Sequence, residues 1–221
     1  LNPDTNRPWR SGFDHLAVKR EERMLQTAAY ILCAYLTGMR DCEVQAMRPG
    51  CLDITRSEDG LIDRYRVRST AYKWKRAEGV PADWITIEPV AEAIRVLEHL
   101  SKDACAFHGV DTLWPVLDIG RAGKPHVSAE IVRALNVFRD HVNAELVGKD
   151  RTNAIPTMHE GQPFKITTRQ FRRTLAWHIA NRPFGTIAGM IQYKHASVAA
   201  FEGYAGSSHS GFQRQMEQEH R

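Results

Sequence analysis

Three arginines crowd the start of one predicted helix, and no other stretch limits the fold of this chain so tightly. Thr167 and Thr168 have the side chains of helix N-caps, so Arg169, Arg172 and Arg173 fall within the first turns. A helix N-terminus carries partial positive charge and prefers anions. Arg169 also stands at i,i+3 and i,i+4 to the other two, where like charges cost about 0.2–0.5 kcal/mol a pair. A guanidinium cannot shed its proton to relieve the conflict. One arginine there reads as solvated helix surface. Three together ask for a fold that brings an anion to them, phosphate being the plainest example.

The rest of the charge is unevenly placed. The net charge is +4, yet residues 1–120 hold 16 Lys/Arg against 18 Asp/Glu, while residues 121–221 hold 14 against 8. A second basic run, Arg64, Arg66, Arg68, Lys73, Lys75 and Arg76, contains no acid between Asp63 and Glu78. Such patches suit a polyanion. With 221 residues and 43% hydrophobic side chains, the chain is long enough for one large domain with a real core. It has no apolar run of the ~20 residues that a membrane span needs, and its first residues lack the apolar stretch of a signal peptide. Leu1 in place of a starting Met leads us to expect further sequence upstream. Cys33, Cys42, Cys51 and Cys105 form no C-x-x-C pair and read as reduced thiols of a cytosolic protein. No His/Cys cluster argues for a metal, and His159-Glu160 is a lone pair in a polar loop.

Residues 1–15, rich in Pro, Asn, Asp and Gly, read as an arm or linker. Helical apolar spacing runs over residues 17–36 and stops at Gly38; a short helix follows from Arg40 to before Pro49. Residues 51–55, 61–69 and 84–87 read as three short antiparallel strands, with Arg64, Arg66 and Arg68 on one face of the second. Pro89 opens a helix to about residue 100, and residues 101–127 read as irregular. Ser128 caps a helix to about Leu146, residues 148–166 form a loop, and further helices start at Thr168, Ile187 and Ser197. The expected fold is α+β: mostly helical, with a small three-stranded antiparallel sheet.

Against this background, four blocks resemble the tyrosine recombinase (phage integrase) family, specifically its C-terminal catalytic domain. Thr37-Gly38-Met39-Arg40, followed by Glu43, is similar to the block holding the family's first arginine. Thr70 to Lys73 on the predicted hairpin resembles its lysine block. Arg169-Gln170-Phe171-Arg172 is similar to its His-x-x-Arg box, and Tyr193-Lys194-His195 through Tyr204 to its Gly-His block and tyrosine. The resemblance covers residues 37–204 and implies the tyrosine recombinase catalytic-domain fold over residues 16–206.

The roles implied are chemically coherent. A tyrosine phenolate attacks phosphorus and keeps the bond energy in a 3′-phosphotyrosine, which assigns Tyr204 as nucleophile. Charge gathers on the non-bridging oxygens, where Arg40 and Arg172 match phosphate geometry. The departing 5′-oxygen needs a proton; Lys73 is the candidate donor, with Lys75 as rival because the hairpin register is open. His195 hydrogen-bonds a phosphate oxygen, and Glu43 orients Arg40 from i,i+3. The chain departs from the pattern twice. Arg169 stands where the family has His or Lys and cannot act as a base: either it is a third phosphate donor and Tyr204 loses its proton another way, or the protein is slow or impaired; Lys194 replaces the glycine before the histidine.

Taken singly, each of these residues has an ordinary reading: Tyr204 as a packed helix tyrosine, Arg40/Glu43 as a surface pair, Arg64, Arg66 and Arg68 as a wet sheet face. Arg64, Arg66, Arg68, Lys75, Arg76, Arg173 and Lys194 are the expected DNA contacts. The resemblance implies no metal and no cofactor, double-stranded DNA as partner, a monomer without DNA and a homotetramer on two DNA sites. It places the protein in the bacterial cytoplasm, associated with the nucleoid and away from membranes. It also implies a helical core-binding domain upstream, with residues 1–15 as linker. Residues 207–221, carrying Phe212 and Met216 at i,i+4, are a tail expected to dock on a neighbouring protomer. Two rivals stand beside this reading: a type IB topoisomerase, and a degenerate integrase that only binds DNA.

Overall fold

The apolar spacing of residues 17–36 forms helix α1, His15–Thr37, whose first turn is capped by Asp14 accepting from the Ala17 N–H at 2.7 Å. The computed structural model describes residues 14–58, 63–72, 77–118, 128–145, 161–195 and 197–205, together with residues 6, 12, 60, 155, 157 and 158. The side chains of Glu145, Tyr204 and Ala205 are excepted. After α1 come a one-turn helix α2, Asp41–Gln45, and strands β1 (Leu52–Arg56), β2 (Asp63–Ala71) and β3 (Val80–Thr86). The rest is helical: α3 (Glu88–His108), α4 (Ser128–Glu145), α5 (Thr168–Ala180), α6 (Gly185–Gln192) and α7 (Val198–Ala205).

The strands form one antiparallel sheet in the order β1-β2-β3, so the expected mostly helical α+β fold is the one observed. Val67 pairs with Trp84, and both are fully buried, while Arg64, Arg66 and Arg68 are exposed, as two-residue alternation requires. Helix α1 packs against α3, α4 and α5, and its buried face (Ala29, Tyr30, Cys33, Ala34) joins Trp84, Ile94 and Leu97 in the main core. A second, smaller core of Ala176, Tyr193 and Phe201 lies where α5, α6 and α7 meet. A Cβ on Gly189 would come within 2.1 Å of the Phe201 ring, so α6 and α7 approach this closely only because position 189 has no side chain. Among the described residues, no helix is long and apolar enough to cross a membrane.

Two boundaries differ most from those expected of the sequence. Helix α3 does not end near residue 100 but continues to His108, where Gly109 turns left-handed at φ 65°. Ser101 and Ala104 extend the buried stripe of Ile94 and Leu97, yet side chains this small leave little trace in an apolar pattern. Strand β3 starts at Val80 rather than Trp84. Pro81 interrupts the strand pattern, but β3 is an edge strand, where a missing N–H is tolerated.

The turn after α1 is the tightest point of the fold. Gly38 sits at φ 69°, and a Cβ there would meet the Tyr193 hydroxyl at 2.7 Å. Gly38→Ala combines left-handed strain with overpacking and should lower the unfolding free energy by about 2–4 kcal/mol. Urea denaturation checks this; an unchanged midpoint would contradict the packing described.

Candidate active site

A single carboxylate organises the site. Arg40 is the N-cap of α2, and Glu43, at the third helical position, returns Oε2 to the Arg40 N–H at 2.6 Å. Its Oε1 accepts from Arg40 Nη1 at 2.6 Å, so one residue holds both the backbone and the side chain of that arginine. Glu43 is 0% exposed. A carboxylate so deeply buried requires cationic partners, and it has a second one: Arg172 Nη1 lies 3.8 Å from Oε2. Helix α2 is too short to be stable alone. Ser69 Oγ donates to the Glu43 carbonyl at 2.6 Å and Trp114 Nε1 to the Val44 carbonyl at 2.6 Å. Asp41 accepts from Tyr30 Oη at 2.6 Å and from Ser128 Oγ.

Arg172 is 3% exposed although it belongs to the crowded start of α5. Its Nη1 donates to the Gly38 carbonyl and its Nη2 to the Tyr193 carbonyl at 3.0 Å. The guanidinium carbon stands 4.1 Å from the Tyr193 ring centroid, and Tyr193 Oη donates back to the Arg172 carbonyl at 2.7 Å. Nη2 also lies 3.4 Å from His195 Nε2. The three clustered arginines thus separate by direction. Arg172 points inward to Glu43, while Arg169 and Arg173 remain exposed on the outside of α5. The cap of α5 is Thr167, whose N–H is taken by Gln170 Oε1 at 2.7 Å.

Arg40, Glu43, Arg172 and His195 are therefore brought together from three separate parts of the chain. Tyr204 lies on α7, which reaches the cluster through Phe201. The Phe201 ring centroid is 5.3 Å from that of Tyr193 and 6.0 Å from that of His195. Lys73, Lys75 and Arg76 lie outside the described residues, as do residues 207–221 and the side chain of Tyr204. Lys73 follows Ala71, the last residue of β2, by two positions, and Ser69 already touches α2. The last residues of β2 thus lie beside Glu43.

Lys194 is half-buried in a left-handed turn at φ 55°, with Nζ 5.4 Å from the centre of the Trp84 ring. Burial lowers its pKa, against the opposing pull of Asp83 and Glu43. On the sheet face, Arg66 and Arg68 share Asp53 at 3.8 and 3.1 Å, and Arg68 also approaches Asp83 at 3.9 Å. Two residues of the cluster escaped the sequence reading as participants. Tyr193 forms the wall behind Arg172, and Gln192 ties α6 to β3 and to the end of α1. A polar glutamine closing the apolar run Ile187–Ile191 was the available signal.

No family model matches the chain, and no curated protein matches it. Solved structures do. A XerA recombinase superposes with TM-score 0.54 at 17% identity over 97% of this chain and 66% of its own. A XerH site-specific recombinase bound to palindromic difH substrate, in a post-cleavage complex, gives TM-score 0.54 at 13% identity over 95% and 48%. The integrase of transposon Tn1549, in complex with a circular intermediate DNA, gives 0.51 at 16% over 99% and 68%. The chain thus has the fold of the tyrosine recombinase catalytic domain, and it spans about half to two thirds of the length of those proteins.

Glu43→Gln keeps the shape but leaves two guanidiniums facing each other without the buried charge between them. It should cost about 3–5 kcal/mol of stability, measured by chemical denaturation; a loss below about 1 kcal/mol contradicts the carboxylate's role as common anchor. Lys194 gives a pH signature. Its folded pKa is lowered, so the unfolded chain binds the proton more tightly, and stability rises with pH between the lowered value and the ordinary 10.5. Melts of the parent and Lys194→Met across that window should differ in slope, the variant being flatter; equal slopes contradict the burial of the ammonium.

Proposed function

We propose that this chain is the catalytic domain of a tyrosine-type site-specific DNA recombinase. The observation that carries the reading is the convergence of Arg40, Arg172 and His195 around Glu43, with the helix of Tyr204 beside them. Preorganised guanidiniums in a largely buried setting are suited to the charge that develops on the non-bridging oxygens of a pentavalent phosphorus. The recombinase fold, and the DNA bound by two of the proteins that share it, add support.

In the proposed reaction the Tyr204 phenolate forms a bond to phosphorus and the bond to the 5′-oxygen breaks. Lys73, or Lys75 in the other hairpin register, gives that oxygen a proton. The resulting 3′-phosphotyrosine is attacked by the 5′-hydroxyl of another strand, whose proton returns to the lysine, so that the phosphodiester is restored and Tyr204 leaves as phenolate. Arg169 serves as a further phosphate donor from the exposed side of α5, since it cannot accept the phenol's proton. Double-stranded DNA is the partner, and strand exchange takes place between two sites held by several protomers. Arg64, Arg66, Arg68 and Arg173 supply backbone contacts, so binding weakens steeply with salt.

A duplex carrying a nick just beyond the scissile phosphate loses its leaving fragment and traps the covalent intermediate. The parent should form an adduct stable to denaturation, and Tyr204→Phe should form none. Absence of an adduct from the parent contradicts the enzyme and leaves a DNA-binding protein. Relaxation of a supercoiled plasmid that lacks a paired site would point instead to a type IB topoisomerase.

A further inference from the structure

The side chain of Gln192 makes three hydrogen bonds to three backbone groups in two other parts of the fold. Nε2 donates to the Thr37 carbonyl at 2.8 Å and to the Ile85 carbonyl at 2.8 Å, and Oε1 accepts from the Ile85 N–H at 3.2 Å. The two contacts with Ile85 imitate a strand pairing along the open edge of β3. Lys194, two residues on, rests over Trp84 of the same strand, so the turn after α6 is docked on the sheet at two points. The third contact bears on Arg172. The two carbonyls that hold its guanidinium belong to Gly38 and Tyr193. Each is the residue directly after one end of the Gln192–Thr37 hydrogen bond. That bond therefore sets the spacing between the two acceptors, and with it the direction of the guanidinium.

We propose that Gln192 is a positioning residue: it fixes the Gly38 and Tyr193 carbonyls so that Arg172 is aimed at the phosphate, and it references both to the edge of β3. Its three hydrogen bonds go to backbone groups of Thr37 and Ile85, so its effect on the phosphate is exerted through Arg172. The inference rests on the recombinase reading above, because only there does the aim of Arg172 have a chemical consequence.

The test uses a change of substrate charge. In a methylphosphonate linkage a methyl group replaces one non-bridging oxygen, so the reacting centre is neutral and needs less cationic stabilisation. Gln192→Met keeps the length of the side chain and removes all three hydrogen bonds. Strand cleavage of the ordinary phosphodiester by Gln192→Met should fall about 10–100-fold, in the range for a weakened oxyanion donor. On the methylphosphonate it should stay within about threefold of the parent, and Arg172→Ala should show the same pattern more strongly. A merely structural loss slows both substrates alike. Equal slowing of both by Gln192→Met, or no slowing of either, overturns the proposal. Should Gln192→Met fail to fold, Gln192→Asn, one methylene too short to span the gap, is read by the same ratio. If Arg172→Ala itself slows both substrates equally, or the parent forms no Tyr204-dependent adduct, the recombinase reading falls and takes this inference with it. If Arg172→Ala discriminates and the Gln192 variant does not, only the inference falls.

Discussion

One buried carboxylate between two guanidiniums holds the centre of this protein together. Glu43 is wholly out of solvent, bonded to Arg40 at 2.6 Å and 3.8 Å from Arg172. Desolvating a lone carboxylate is far costlier than any single hydrogen bond can offset, so its partners have to be present in the folded state. Two cations on one anion leave net positive charge, and Arg40 and His195 keep part of their surface in solvent. The carboxylate anchors both guanidiniums, and the net charge of the cluster stays positive. An anion-binding site needs both properties.

The fold reads as the means of bringing those groups together. Arg40 follows α1 and Arg172 opens α5, more than a hundred residues later, yet α1 and α5 pack directly on each other. The turn at Gly38 lies so close to Tyr193 that a methyl group would not fit between them. Backbone carbonyls at Gly38 and Tyr193 hold Arg172 from two sides, and Phe201 of α7 closes over Tyr193 and His195. Displacement of any of these elements moves a guanidinium or the imidazole. Packing and chemistry are therefore one constraint here, not two.

What could be read from the sequence was mostly local. The Arg40/Glu43 pair follows from i,i+3 spacing at a helix start, and the arginine face of β2 from alternation. The left-handed stop at Gly38 follows from glycine's freedom at φ 69°. Long-range facts were hidden. Spacing does not say which of three neighbouring arginines turns inward, because Arg172 is selected by Glu43, a residue 129 positions away. Tyr193 looked like part of a motif's frame, and only its contact with the Arg172 guanidinium gives it a part in the site. The end of α3 leaves little trace in the sequence because Ser101 and Ala104, though buried, have small side chains with little hydrophobicity of their own. The sequence pattern supplied the parts of the cluster, whereas their arrangement depends on tertiary contacts.

On the proposed function, this cluster grips a single backbone phosphate of DNA. A crystal structure of Tyr204→Phe bound to a duplex tests it most directly. One phosphate should lie within about 3 Å of nitrogens of Arg40, Arg172 and His195, with the ring at position 204 facing the phosphorus. A duplex bound across another face, with no phosphate at the cluster, would contradict it.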